Sequence, residues 1–437
     1  MTKRSLSEII TEQEFLPLIQ ESCVGFFRIY NYMMREKSEF TKTFYSNLIQ
    51  EAQLLESFLD AHGARRNKTW IFFTELVASI RNFSIPAFLL RHILDRYHVY
   101  NLYEKKEEEN AFWGEAKKTL DFMDESMKNL FESAKEEGEK QGLILPMTMI
   151  KGEEFKDIRT NRYLPPTAFD EEDVPNEEER IIELSRRYRK VANLLRHEGY
   201  KRRYTEEELI KIIPRKINEN KVRKLKNIIH GVQSDYDTYV KNTNIEKKNK
   251  KLSMFRGYIS MPLHLLEIVR WLSHFYERHV NGIRGGETRE KISRIIDKAK
   301  ILDRIVNFAF FYSNNYLQKG ISIAEDILSS YVNSTCYELP IPQPLGFHAR
   351  PATYVSLVVN EHGTDVFLLV NGERFNAKSV MSLLQASGII ADKGYKTVIF
   401  EGDKRVLDDL KILSDHNYCE DNNIPRELNY LKILRNI

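Results

Sequence analysis

The sequence predicts an α+β protein, with a large all-α amino-terminal region and a smaller carboxy-terminal domain where strands and helices alternate. Three observations carry that prediction. Apolar residues recur at i, i+3 and i+4 through roughly the first 330 residues. Proline interrupts residues 1–142 only at Pro17 and Pro86. From Tyr337 onward, short β-rich runs are separated by turn signals.

Ile19, Cys23, Phe26, Tyr30 and Met33 form an apolar stripe on a helix near the start, and Tyr45, Leu48, Ala52, Leu55 and Phe58 form the next, closed by His62-Gly63. Trp70 to Phe83 reads as a central helix, Pro86 as the start or kink of another, and Leu120 to Ala134 as an amphipathic one. The aromatic residues here read as core. His92 and His98 stand six residues apart, which does not align two ligands on one helix face.

Charge then divides the chain. Glu104 to Glu183 holds 23 acidic against 12 basic residues, and Arg186 to Lys251 holds 20 basic against 8 acidic. We read a helical domain at 1–160, an acidic, proline-containing linker or loop at 161–177, and a second helical domain or continuation at 178–332. In the basic block one helix ends near His197-Glu198-Gly199; another opens with Thr205 and Glu208 in capping-box register and stops before Pro214. Arg186, Arg187, Lys201, Arg202 and Arg203 are candidates for nucleic-acid phosphate contacts. The competing reading is a set of solvated faces that pair with acidic residues.

Lys247 to Lys251 reads as a surface turn, Met261 to Tyr276 and Glu287 to Tyr316 as helices, and Ile321 to Tyr331 as another. His274 and His279 are five residues apart, which gives no metal pair on one face. Gly282 to Gly286 lacks a following Lys-Ser/Thr and is no phosphate loop.

The chemistry is concentrated in Leu345-Gly346-Phe347-His348-Ala349-Arg350-Pro351-Ala352. Gln343-Pro344 and Gly346 signal a turn that delivers His348 to the start of a helix, where Ala352, Val355, Val358 and Val359 mark the apolar face. Pro351 suits a first helical turn. The first-turn N–H groups have no acceptor inside the helix and point beyond its end. His348 is thus a nucleophile beside an anion site, with Arg350 as a bidentate cation.

These eight residues resemble the active-site loop of HPr, the histidine-containing phosphocarrier of the phosphoenolpyruvate-dependent phosphotransferase system. Asn376-Ala377-Lys378-Ser379-Val380-Met381 supplies a second match, and Ser379 follows His348 by 31 residues, the family's own spacing. The resemblance implies an HPr-like phosphocarrier domain at 335–437, with a C-terminal extension. It also implies an open-faced β-sandwich in the order βαββαβα, an antiparallel sheet with helices on one face.

By the same resemblance, His348 is the phosphoacceptor, through its pros nitrogen Nδ1, and Arg350 the phosphate partner. Ser379 is the counterpart of a serine modified by an HPr kinase/phosphorylase, and Phe347, Val380 and Met381 belong to the docking surface. The donor is an enzyme I-like protein, and the phosphoryl group passes to a downstream acceptor or is read by a regulated partner. Ala386-Ser387-Gly388 departs from the family's leucine-glycine pair, and the tail from Asn422 exceeds the usual length.

The chain carries 30% charged and 42% apolar residues and a net charge of +3. Cys23, Cys336 and Cys419 have no metal or redox spacing. Trp70 to Ile80, the most apolar window, is interrupted by Glu75 and too short to span a bilayer. Glu8, Glu12 and Glu14 exclude a secretory signal in the first fifteen residues. The expectation is a cytoplasmic phosphocarrier or regulator, a stoichiometric carrier more than a catalyst, with no cofactor and no metal. Two alternatives stand beside it: a nucleic-acid-binding regulator switched by the HPr-like domain, and a non-phosphorylated scaffold of HPr fold.

Overall fold

Pro86 lies inside one continuous helix instead of starting a second. In a computed structural model that describes residues 9–36, 38–102, 105–157, 164, 177–197, 202–241, 243–280, 286–421 and 423–434, the chain divides into two compact units. The first comprises residues 1–170, 193–233 and 256–318; the second comprises 171–192, 234–255 and 319–437. The expected linker at 161–177 lies almost wholly outside the described residues. No described helix is long and apolar enough to cross a membrane.

The amino-terminal helices are α1 (Glu12–Ser22), α2 (Val24–Arg35), α3 (Lys42–Ala61), α4 (Ile71–Arg96) and α5 (Lys106–Lys140). Ile19, Cys23, Phe26, Met33, Tyr45, Leu48, Ala52 and Leu55 are fully buried, as their helical spacing requires. Rings pack the interior: Phe26 lies 4.7 Å from Phe131, and Tyr30 5.5 Å from the same ring. These aromatic residues are core.

Next come α6 (Glu177–His197), α7 (Glu206–Ile212), α8 (Glu219–Tyr239), α9 (Asn244–Lys248) and α10 (Lys250–Phe275). The capping box of α7 forms, with the Thr205 N–H donating to Glu208 at 2.9 Å. Lys247 to Lys251 is not a surface turn: α9 and α10 occupy most of it. The long helix expected from Glu287 to Tyr316 is broken into α11 (Glu287–Ile295), α12 (Lys298–Asp303), a π-helical stretch Arg304–Phe310, and α13 (Phe311–Ser330). Asp297 caps α12 by accepting the Lys300 N–H at 3.1 Å, so a new helix starts where the apolar period runs on.

The carboxy-terminal domain runs β1 (Ser334–Pro340), α14 (Ala349–His362), β2 (Val366–Val370), β3 (Glu373–Asn376), α15 (Val380–Lys393), β4 (Thr397–Asp403) and α16 (Lys404–Asp415). The strands form one antiparallel sheet in the order β1-β4-β2-β3. Asn371 (φ 53°) and Gly372 (φ 80°) take the left-handed turn that an Asn-Gly hairpin needs. Val366, Leu368, Val398 and Phe400 point inward to a core shared with Ala352, Val355, Val358 and Val359 of α14. α15 continues past Gly388 to Lys393, so the loop before β4 is shorter than the sequence suggests. After α16 the chain turns back through residues 417–419 and ends in a short helix α17 (Tyr430–Leu434).

Candidate phosphoacceptor site

His348 is the N-cap of α14, with extended backbone at φ −76°. Its carbonyl accepts the Ala352 N–H at 3.1 Å, which starts the helix, and its own N–H donates to Gly346 at 2.9 Å. Gly346 takes φ +69°, a conformation open to glycine at little cost, and this turn brings the imidazole to the helix end. Pro351 is buried in the first turn and withholds no needed donor. The His348 side chain is 34% exposed and Arg350 46%, so both are reachable from solvent.

The tail after α16 folds onto this loop. Glu420 brings Oε1 to 2.6 Å from His348 Nε2, an ion-pair distance, and both atoms are buried without a hydrogen-bond partner. Arg350 Nη1 donates to the Glu420 carbonyl at 2.6 Å. Asn417 accepts from the Gln343 N–H at 2.8 Å and donates to the Gln343 carbonyl at 2.7 Å. Tyr418 is fully buried and donates to the Pro340 carbonyl at 2.8 Å. Its ring lies 5.2 Å from Phe347.

Asn417, Tyr418 and Cys419 all take left-handed backbone, at φ 47°, 54° and 57°. Each such residue costs about 1–2 kcal/mol for a side chain with a Cβ. The hydrogen bonds and the buried Tyr418 ring offset that strain.

Phe347 corrects the sequence reading. Its ring is fully buried between Phe400 and Tyr418, so it packs the core and offers no surface to a partner. Val380 is half-buried, whereas Met381 is 67% exposed and Leu345 73%.

Ser379 is the exposed N-cap of α15, and its hydroxyl accepts the Ser382 N–H at 3.3 Å. The peptide before it is held from α14: Ser356 and Asn360 both donate to the Lys378 carbonyl, at 2.7 and 3.0 Å.

Four of the five candidate phosphate contacts have partners within the chain. Arg187 pairs with Asp235, Arg202 with Glu208, and Arg203 lies 3.6 Å from Glu115. Arg186 Nη2 donates to His362 at the far end of α14. Lys201 and the residues of Gly282 to Gly286 before Gly286 lie outside the described residues. No group of three or more His, Cys, Asp or Glu among the described residues is arranged to hold a metal.

A cavity of about 640 Å³ opens between α2, α4 and α5, lined by Phe40, Arg91, Asp95, Trp113 and Asp124 among others. None of the residues singled out in the sequence for phosphoryl chemistry lines it.

A solvent-reachable histidine at a helix N-terminus, an arginine in that helix's first turn and an antiparallel sheet behind them are the parts of a phosphocarrier-type domain. Residues 337–403 match the family model described as the PTS HPr component phosphorylation site. The carboxy-terminal domain is therefore an HPr domain, and the match spans both His348 and Ser379. No curated protein and no solved structure matches the chain.

Sequence reasoning singled out His348, Arg350 and Ser379 but not Glu420, Asn417 and Tyr418. Those three stand before the long tail that begins at Asn422 and carry no sequence signal of their own.

Proposed function

We propose that the chain is a phosphocarrier of the phosphoenolpyruvate-dependent phosphotransferase system that accepts a phosphoryl group on His348 Nδ1. The donor is an enzyme I-like phosphoprotein. The observation that carries this reading is the position of His348, capping α14 beside Arg350 within the matched HPr segment. The unpaired first-turn amides and Arg350 favour the phosphoryl dianion. The group then passes to a downstream acceptor or sets the state of a regulated partner, with the helical region as reader. Ser379, exposed at a second helix N-terminus, is the site for a kinase of HPr kinase/phosphorylase type.

Intact mass of the full chain after incubation with phosphoenolpyruvate and enzyme I tests the relay. The expected result is one acid-labile phosphoryl group, absent from His348→Ala. No mass gain with an active donor refutes it.

A further inference from the structure

We infer that Glu420 is a positioning residue for His348: it holds the imidazole with the proton on Nε2 and the lone pair on Nδ1. The inference rests on the phosphocarrier reading for its purpose but not for its geometry.

The two ring nitrogens are inequivalent because their surroundings are. Nε2 faces the Glu420 carboxylate at 2.6 Å, and Glu420 is only 16% exposed. A carboxylate that close repels a ring lone pair and attracts a proton, so it favours hydrogen on Nε2. Nδ1 is then the unprotonated nitrogen, the one with electrons to offer.

Glu420 is held by its surroundings. Its carbonyl accepts from Arg350 Nη1, so the arginine on the first turn of the acceptor helix also anchors the residue that orients the acceptor. Asn417 clamps Gln343 with two hydrogen bonds, and Tyr418 is buried against Phe347, the residue before His348. Three consecutive left-handed residues without a glycine complete the turn. Strain of that kind, maintained by several independent contacts, marks a conformation the fold over-determines. What it delivers is one carboxylate to one imidazole.

The transfer step balances. The Nδ1 lone pair forms a bond to phosphorus. The bond between phosphorus and the donor's nitrogen breaks, and its electron pair stays with the donor. His348 gains positive charge as Nδ1 is substituted, and the Nε2 proton stays in place against Glu420. The carboxylate thus stabilises charge that appears only as the bond forms, the condition for speeding the step.

The test uses the full chain with ¹⁵N-histidine labelling, His348→Ala assigning the signal. Long-range ¹H–¹⁵N spectra read the tautomer with no donor present. Wild type is expected to show the Nε2–H form, and Glu420→Gln and Glu420→Ala a mixture, with unchanged thermal melts. With the donor, both variants are expected to lose roughly ten- to a hundred-fold in transfer rate at saturating donor. Glu420→Asp is expected to recover part of the loss.

A His348 tautomer indifferent to Glu420, or a rate undiminished in Glu420→Gln, overturns the inference. So does a faster rate in Glu420→Ala, which would make the carboxylate a plug. A tautomer that shifts as expected in a protein no donor phosphorylates supports the positioning role and refutes the proposed function.

Discussion

Arg186 donates through Nη2 to Nδ1 of His362 at 2.6 Å, and the opposite nitrogen of that ring lies 2.7 Å from Asp409. Tyr430 donates to the same carboxylate at 2.8 Å. The chain joins a helix of the basic block, the acceptor helix α14, α16 and the terminal tail. Arg186→Ala leaves buried His362 without its donor. It should destabilise the full chain by about 1–3 kcal/mol in urea denaturation. Arg186→Lys should recover only part of this, because Arg186 also donates to the His362 carbonyl at 3.3 Å and an ammonium lacks the fork. A full recovery by lysine refutes the geometry.

Two glycines with nearly the same backbone should answer differently to alanine. Gly372 has φ +80° and nothing within 4 Å of a built Cβ, so Gly372→Ala meets only conformational cost, about 1 kcal/mol. Gly363 has φ +82°, and its Cβ would overlap the Arg189 guanidinium. Gly363→Ala should cost about 2–4 kcal/mol, since the guanidinium must also move. Thermal melts of the two variants compare them directly, and equal losses contradict the packing described.

Asp124, at the cavity between α2, α4 and α5, keeps an exposed edge but is surrounded by protein, and burial pushes its carboxyl from 3.8 up to about 7. The Tyr45 hydroxyl, which donates to it at 2.7 Å, only partly opposes that shift. The folded form therefore holds a proton that the unfolded form gives up near pH 4. Asp124 contributes stability in full below that pH, and loses it as pH rises through about 7. The loss is at most about 4 kcal/mol. Denaturation midpoints measured from pH 4 to 8 should fall less steeply in Asp124→Asn. An unchanged slope refutes the assignment.

Arg202 and Arg203 should matter little to any nucleic acid, because Glu208 and Glu115 already face them. A double-stranded DNA probe at low salt is expected to show no mobility shift that Arg202→Ala with Arg203→Ala abolishes. A shift that weakens steeply with salt and disappears in that variant would restore the nucleic-acid reading.

The carboxy-terminal domain was legible because each of its signals is local. β3 runs from Glu373 to Asn376, where the preceding Asn-Gly turn returns the chain, and the apolar face of α14 is fully buried. Element ends were less legible. Ala386-Ser387-Gly388 looks like the end of a helix, yet Gly388 has open space around it and α15 passes through. Asp297 was a readable cap that the continuing apolar period concealed. Glu420 lay beyond sequence reasoning because its place depends on three left-handed residues and on Gln343, 74 positions away from Asn417.

The link between Arg186 and His362 spans 176 positions, and that separation sets a timetable. When the basic segment leaves the ribosome, the histidine that will occupy its arginine has not been made. At 5–20 residues per second the wait is roughly 10–35 s. Throughout that interval Arg186 has no His362 to donate to. The helix that carries Arg186 must therefore wait with that guanidinium unpaired by His362 until the acceptor helix itself has been made.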